Sequence, residues 1–186
     1  MQARGYTLIE VAIVIIIMGI LVAFLAPILL GAVNAYDTTS RNIEVLTKMR
    51  YSMERMAREI RNLRRDPNNT GRADVSSMTA TKFEFCRGDG TRVTLDSAAV
   101  AGEVRIGYTA GSLQNSCAVG AATTNTLTDA VTAFQFQYCR IDSVCAASSG
   151  ATVDELSVAF VDITMTLTGT GTSAYTSSQR VDLRNP

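Results

Sequence analysis

The sequence predicts an α+β protein in which one long N-terminal helix packs on an antiparallel β-sheet. The helical signal runs from an apolar stretch, residues 11–33, through an amphipathic segment that ends before Pro67. After Pro67 the pattern changes to short alternating segments separated by turns rich in Gly and Asn. A chain of 186 residues suits one globular domain plus a membrane segment.

Residues 11–33 form an apolar run without a charged side chain. As an α-helix the run is about 35 Å long, which is enough to cross the roughly 30 Å of bilayer hydrocarbon. Arg4 precedes the run, and Asp37 and Arg41 are the first charged residues after it. A short positive N-terminal flank predicts an amino terminus on the cytoplasmic side of the inner membrane and export of the rest to the periplasm.

Glu10 lies at the start of this run, where a carboxylate is unfavourable in lipid and therefore predicts a function. The acid ends the string Gly5-Tyr6-Thr7-Leu8-Ile9-Glu10. This string resembles the processing site of type IV pilins and pseudopilins. The resemblance implies that prepilin peptidase cuts after Gly5 and methylates the amine of Tyr6, so that Glu10 becomes the fifth residue of the mature chain. Tyr6 departs from the family, in which phenylalanine is the commoner first residue.

A cut after Gly5 would also create a cationic amine close to the level of the Glu10 carboxylate. In a helical stack, the amine of one subunit can approach the acid of a neighbour. The free-energy cost of burying both charges is about equal to their attraction. Such a pair therefore sets the register between neighbouring subunits and adds little net stability. We expect Glu10 to fix the register of subunit assembly.

Gly19 and Pro27 lie within the apolar run, where proline removes a backbone hydrogen bond and crowds the preceding turn. The simplest interpretation is a harmless bend. Both residues also stand where many pilins carry a helix-loosening glycine and proline. That resemblance implies that the segment between them can melt when the subunit leaves the bilayer for the filament.

An ordinary secretory signal peptide is the competing interpretation of the amino end. Val33-Asn34-Ala35 is an acceptable small-residue cleavage site, and a cut there would release a domain beginning at Tyr36. The apolar run is too long for the core of a signal peptide, and Glu10 is out of place in one.

The composition excludes several function classes. Lys plus Arg and Asp plus Glu number 17 each, so no net positive charge indicates nucleic-acid binding. The chain has no histidine, which removes the commonest general base and metal ligand, and no nucleophile has a recognisable partner. We expect neither an enzyme nor a cofactor.

The four cysteines, Cys86, Cys117, Cys139 and Cys145, all lie on the expected exported side, where disulfides form. Zinc is the rival use, but the spacing contains no C-x-x-C pair and no histidine can complete a site. Three pairings are possible. We favour Cys139 with Cys145, because these two bracket a short turn, and therefore Cys86 with Cys117.

The amphipathic half of the helix carries an apolar residue every three or four positions and charges on the other faces. Its apolar residues include the methionines Met49, Met53 and Met56, which we expect to pack on the sheet. An arginine-rich series is expected to form a solvated face paired with Glu54 and Glu59: Arg55, Arg58, Arg61, Arg64 and Arg65. We expect the chain to consist of four parts. These are a leader (1–5), the transmembrane and assembly half of the helix (6–33), its amphipathic half (34–66, with the helix ending at about Arg65) and a globular β-domain (67–186).

The β-domain is predicted from alternation and turn residues. The expected strands are 82–87, 91–95, 104–108, 111–117, 131–139, 155–168 and 179–184. Loops are expected at 66–77, 118–129 and 140–152, and a flexible tip at 169–172. The strand 131–139 has the strongest pattern, with Phe134, Phe136 and Tyr138 on one face.

The order of a long helix followed by antiparallel strands extends the pilin resemblance to the whole chain. Residues 54–65, 131–138 and 181–186 are similar to J-type minor pseudopilins and to minor pilins of mannose-sensitive haemagglutinin pili. This resemblance implies a low-copy subunit of an extracytoplasmic filament. Its partners would be prepilin peptidase, other major and minor subunits, the inner-membrane assembly platform and, before assembly, membrane lipid. The alternative is a membrane-anchored periplasmic binding or adhesive domain that does not polymerise.

Overall fold

The computed structural model describes residues 7–111, 117, 119–150, 153–154, 156–169 and 173–183. The chain divides into two compact units, Met1–Ile43 and Glu44–Pro186.

A single helix, α1, extends over Leu8–Arg61 and contains 54 residues. Its portion in the first unit is helical through Pro27, so the proline is accommodated without ending the helix. This portion is long and apolar enough to cross a membrane, and none of its most apolar window is buried in the protein. The expected continuous helix is therefore present.

The helix ends at Arg61, earlier than the sequence pattern placed its end, at about Arg65. The amides of Asn62 and Leu63 donate to the carbonyls of Glu59 and Ile60, each at 3.0 Å, which tightens the last turn. The next amide, that of Arg64, donates to the Cys86 carbonyl at 2.9 Å. Pairing with a strand therefore replaces the continuation of the helix.

Eleven strands follow within the described residues, all in antiparallel pairs. A two-stranded sheet joins β1 (Arg65–Asp66) and β2 (Asn69–Ala73). The larger sheet has the order β3-β4-β5-β6-β7, formed by Val75–Met78, Lys82–Cys86, Arg92–Asp96, Val104–Thr109 and Thr123–Thr128. The four-stranded sheet has the order β11-β10-β8-β9, formed by Ala174–Asp182, Phe160–Thr168, Val131–Cys139 and Cys145–Ala146.

These strands correct several expectations from the sequence. The expected single sheet is three sheets. The expected loop 66–77 contains β2 and overlaps β1 and β3, the loop 118–129 contains β7, and the turn 140–152 contains β9. The segments 69–73 and 123–128 are edge strands of mainly polar residues, in which Ala73 and Leu127 are the only apolar side chains, so they lack the apolar alternation that marks a half-buried strand.

Two strand boundaries also differ from the predicted ones. The strand expected from residue 155 begins at Phe160, because Asp154 accepts hydrogen bonds from the amides of Leu156 and Ser157 and forms a turn. The closing strand begins at Ala174 instead of residue 179. Most of the expected strand 111–117 and of the tip 169–172 lies outside the described residues.

The core of the second unit lies between the amphipathic end of α1 and the two larger sheets. Met53, Met56 and Ile60 are at most 3% exposed, so the methionine stripe is part of the core. The ring of Phe83 lies 5.0, 5.9 and 5.3 Å, centroid to centroid, from those of Phe85, Phe136 and Tyr138. The fold is therefore a long N-terminal helix packed on antiparallel sheets, as predicted.

Candidate functional site

The first turn of α1 joins Thr7 to Glu10. The Thr7 amide and hydroxyl both donate to Oε2 of Glu10, at 2.9 and 3.0 Å, while the Glu10 amide donates to the Thr7 carbonyl at 3.1 Å. A glutamate that accepts the amide three residues before it is one half of a capping box. Its negative charge also lies at the positive end of the helix dipole. The Glu10 carboxylate is thus held by its own chain.

The role of Thr7 was missed in the sequence analysis, although the spacing T-x-x-E before an apolar run is a signal for it. Gly5 and Tyr6, the expected cleavage and methylation residues, lie outside the described residues. Their roles remain predictions from the sequence.

The apolar surface beyond Glu10 is fully open within the first unit. From Leu8 to Val33 the large apolar side chains are between 49% and 88% exposed. A surface of this size is stable only against lipid or against other apolar helices. A Cβ placed on Gly19 would meet nothing within 4 Å, so packing inside this chain does not require glycine there.

Within the second unit, the Glu59 carboxylate is 4% exposed and carries the main buried charge of α1. It lies 3.0 Å from Arg55 and 3.4 Å from Arg87, and it accepts the Tyr108 hydroxyl at 2.9 Å. Arg55 also donates to the Tyr108 oxygen at 2.8 Å. Burial raises the pKa of Tyr108. We call these four residues the Glu59 cluster, and it attaches the helix to β6 and to the end of β4.

The arginine series is therefore not one solvated face. Arg55 belongs to the Glu59 cluster, and the Arg64 side chain is only 11% exposed and pairs with Asp74 at 2.8 Å. The remaining helix arginines, Arg58 and Arg61, are exposed. Because α1 ends before Arg64, this side chain follows the path of the strands instead of the helix face.

The four cysteines form two disulfides, Cys86 with Cys117 and Cys139 with Cys145, which are the pairs that the sequence favoured. Their Cα atoms are 5.6 and 4.0 Å apart. The second disulfide joins the end of β8 to β9 and closes a turn with a sequence separation of 6.

A potential metal group in the described part of the chain consists of Cys139, Cys145 and Asp162, with ligand atoms within 4.8 Å of one another. Both sulfur atoms are consumed by the disulfide, and both Asp162 oxygens accept from Arg180 at 2.8 Å. A neutral disulfide and an occupied carboxylate are poor ligands, since cysteine binds metals as a thiolate. The group is better explained as structural.

Comparison with known proteins identifies a family feature at the amino end. Residues 1–26 match the family model of the prokaryotic N-terminal methylation motif. The match includes Gly5, Tyr6, Thr7 and Glu10, and therefore the turn described above. No curated protein matches the chain.

Proposed function

We propose, on the premise that the methylation motif marks a type IV pilin or pseudopilin, that the chain is a low-copy structural subunit of a type IV pilus or of a type II secretion pseudopilus. The match at residues 1–26 supports the superfamily and carries the proposal. A prepilin-type amino end implies a substrate of prepilin peptidase that assembles with other pilins, and it suggests a structural subunit instead of an enzyme.

The apolar half of α1 supports polymerisation through the amino end. The motif and the exposed apolar helix fit membrane anchoring with an extracytoplasmic C-terminal domain. In our proposal the leader is 1–5, the segment 6–33 serves first lipid and then neighbouring helices, and Glu10 sets register against the methylated amine of Tyr6. Gly19 and Pro27 loosen the helix between these two environments.

Low-copy status and the filament system go beyond the motif. The similarity of residues 54–65, 131–138 and 181–186 to minor pseudopilins and minor haemagglutinin pilins supports a minor subunit. The proposed partners are the major and minor subunits of one filament and the inner-membrane assembly platform.

The mass of the mature chain tests the processing step. Co-expression of the full chain with prepilin peptidase should give a product that begins at N-methylated Tyr6, and Gly5→Val should leave the precursor uncut. Tyr6→Phe, which restores the commoner first residue, is the matched control and should be cut and methylated. A product that begins at Tyr36 would instead identify a secretory signal peptide and refute the proposal.

Polymerisation separates the proposal from an anchored domain that stays in the membrane. The processed chain should appear in surface fibres released by shearing and should crosslink to other subunits through residues 8–33. Recovery of all processed chain in the membrane fraction, from cells that make fibres, would support the non-polymerising alternative.

A further inference from the structure

Strand β11 lies at one end of the four-stranded sheet. It is the first strand in the order β11-β10-β8-β9, and no strand in the described part of the chain pairs with its other side. The strand is nine residues long, so the edge extends for about 30 Å. Long exposed edges are usually protected, because their amides and carbonyls are a template for another strand.

One hydrogen bond shows to which neighbouring strand the backbone N–H and C=O groups of each residue point. The Phe136 amide donates to the Ala80 carbonyl at 2.8 Å, away from β10. Phe136 and its partner Ile163 are therefore a non-hydrogen-bonded pair, and the backbone groups of Ile163 point to β11. Ile163 pairs there with Gln179, whose own backbone groups point back to β10.

Alternation then fixes which groups reach the edge. Because Gln179 faces β10, the backbone groups of Thr176, Ser178 and Arg180 face outward. The bond from the Leu183 amide to the Ala159 carbonyl, 3.0 Å, agrees with this alternation at the end of the strand. By the same alternation Ala174 and Asp182 also face outward, so five residues of β11 offer donors and acceptors spaced for an incoming strand.

A groove of about 450 Å³ lies beside this edge. On the strand side Ser177 and Gln179 are half-buried, although inward positions of the same strand otherwise carry Tyr175 and Val181. On the helix side the groove is lined by Leu46, Met49, Arg50, Met53 and Glu54. Polar residues on an inward face leave space and hydrogen-bonding groups where a closed core would have apolar side chains.

The charged side chains of the groove give it no preference for a charged ligand. Arg50 and Glu54 pair with each other at 3.1 Å, so the helix wall carries no net charge. Leu46 is 45% exposed and adds an apolar contact at one end. The edge and its groove match an extended peptide segment with small polar residues and one apolar residue.

We propose that the free edge of β11 and this groove receive an extended segment of a different subunit of the same filament by strand addition. Strand addition takes its affinity from main-chain hydrogen bonds and its specificity from side-chain pockets, and both features are present here. The choice of occupant rests on the proposed function, because a low-copy subunit in a filament is surrounded by other subunits instead of copies of itself.

Photocrosslinking from the groove in assembled fibres tests the inference. The full chain carries the photoreactive residue p-benzoylphenylalanine in place of Gln179, and the control chain carries it in place of Gln135, which is exposed on β8 outside the groove. We expect the Gln179 probe, and not the Gln135 probe, to crosslink to a segment of another subunit with a methylation motif, identified by mass spectrometry.

A proline at the edge makes the test specific. Ser178→Pro removes the outward amide donor and should reduce the Gln179 crosslink at least tenfold, whereas Ser178→Ala keeps the amide and should not change it. Ser177→Trp fills the groove and provides a second block if the proline variant does not fold, which its melting temperature will show.

The outcomes separate the two proposals. Fibres that contain the chain but give no groove crosslink, a crosslink only to a second copy of the chain, or a crosslink unaffected by both blocking variants would overturn strand addition and leave the proposed function standing. Absence of the processed chain from fibres would overturn the proposed function and, with it, this inference.

Discussion

Thr7 holds the Glu10 carboxylate through both its amide and its hydroxyl, at 2.9 and 3.0 Å. The acid is therefore satisfied inside its own chain before any neighbour is present. In the proposed filament the same carboxylate would be shared with the amine of another subunit. The local contact and the proposed intersubunit contact therefore use one carboxylate.

Glu10→Ala should leave membrane insertion and cleavage intact and reduce incorporation into fibres at least tenfold. The apolar run that drives insertion is unchanged, whereas the group that would meet the neighbouring amine is lost. The amounts of mature chain in membrane and sheared fibre fractions measure the effect. Glu44→Ala, which removes an exposed helix acid paired with Lys48, is the control, and normal incorporation of the Glu10 variant would refute the register role.

The Glu59 cluster should contribute more to stability than any exposed ion pair of the helix. Glu59→Gln leaves Arg55 and Arg87 without their shared carboxylate, and we expect the free energy of unfolding to fall by about 2 to 3 kcal/mol. This loss is smaller than that for a fully buried ion pair, because both arginine side chains are about one-third exposed. Denaturant unfolding measures it.

Glu54→Gln is the matched control for that experiment. Its partner Arg50 is 83% exposed, so the loss should stay below about 1 kcal/mol. Equal losses in the two variants would show that the cluster adds nothing beyond a surface pair.

Stability should fall at high pH through Tyr138. Its hydroxyl donates to the carbonyls of Thr79 and Lys82, at 2.9 and 3.3 Å, and burial raises its pKa well above the usual range. A raised folded-state pKa means that the contribution is complete below about pH 10, the pKa in the unfolded chain, and is lost as the pH rises further.

Above about pH 10, ionisation of Tyr138 in the unfolded chain should lower the free energy of unfolding by up to about 1.4 kcal/mol per pH unit. Tyr138→Phe should be about 1 kcal/mol less stable at about pH 8 and should lack this part of the alkaline slope. Urea unfolding at several pH values between about 8 and 11 compares the two chains, and parallel curves would contradict the assignment.

The two disulfides should differ in their contribution. Loop entropy gives about 4 kcal/mol for the Cys86–Cys117 link and about 2 kcal/mol for the Cys139–Cys145 link, since they close sequence separations of 31 and 6 residues. Paired alanine substitutions, compared by thermal unfolding, should show the larger loss for the first pair. The reverse order would show that packing around the sulfur atoms outweighs loop closure.

The sequence predicted the features that rest on strong periodicity. The continuous helix, the methionine core and the strand at Val131–Cys139 follow from spacing alone. The three sheets were not predictable in this way, because β7 and β11 are edge strands whose many exposed Thr and Ser side chains conceal the alternation. The burial of Arg55 was hidden as well, since its partner Tyr108 lies on β6, 53 residues further along the chain.

The positions of the cysteines have a mechanical consequence. Both disulfides join parts of the β-domain, and α1 contains no cysteine. A pulling force applied to the amino end therefore reaches the rest of the chain through non-covalent contacts and one backbone connection after Arg61. Met53, Met56, Ile60 and the Glu59 cluster are contacts that hold α1 to the β-domain, and the cross-linked β-domain would stay closed even after the helix had been pulled away from it.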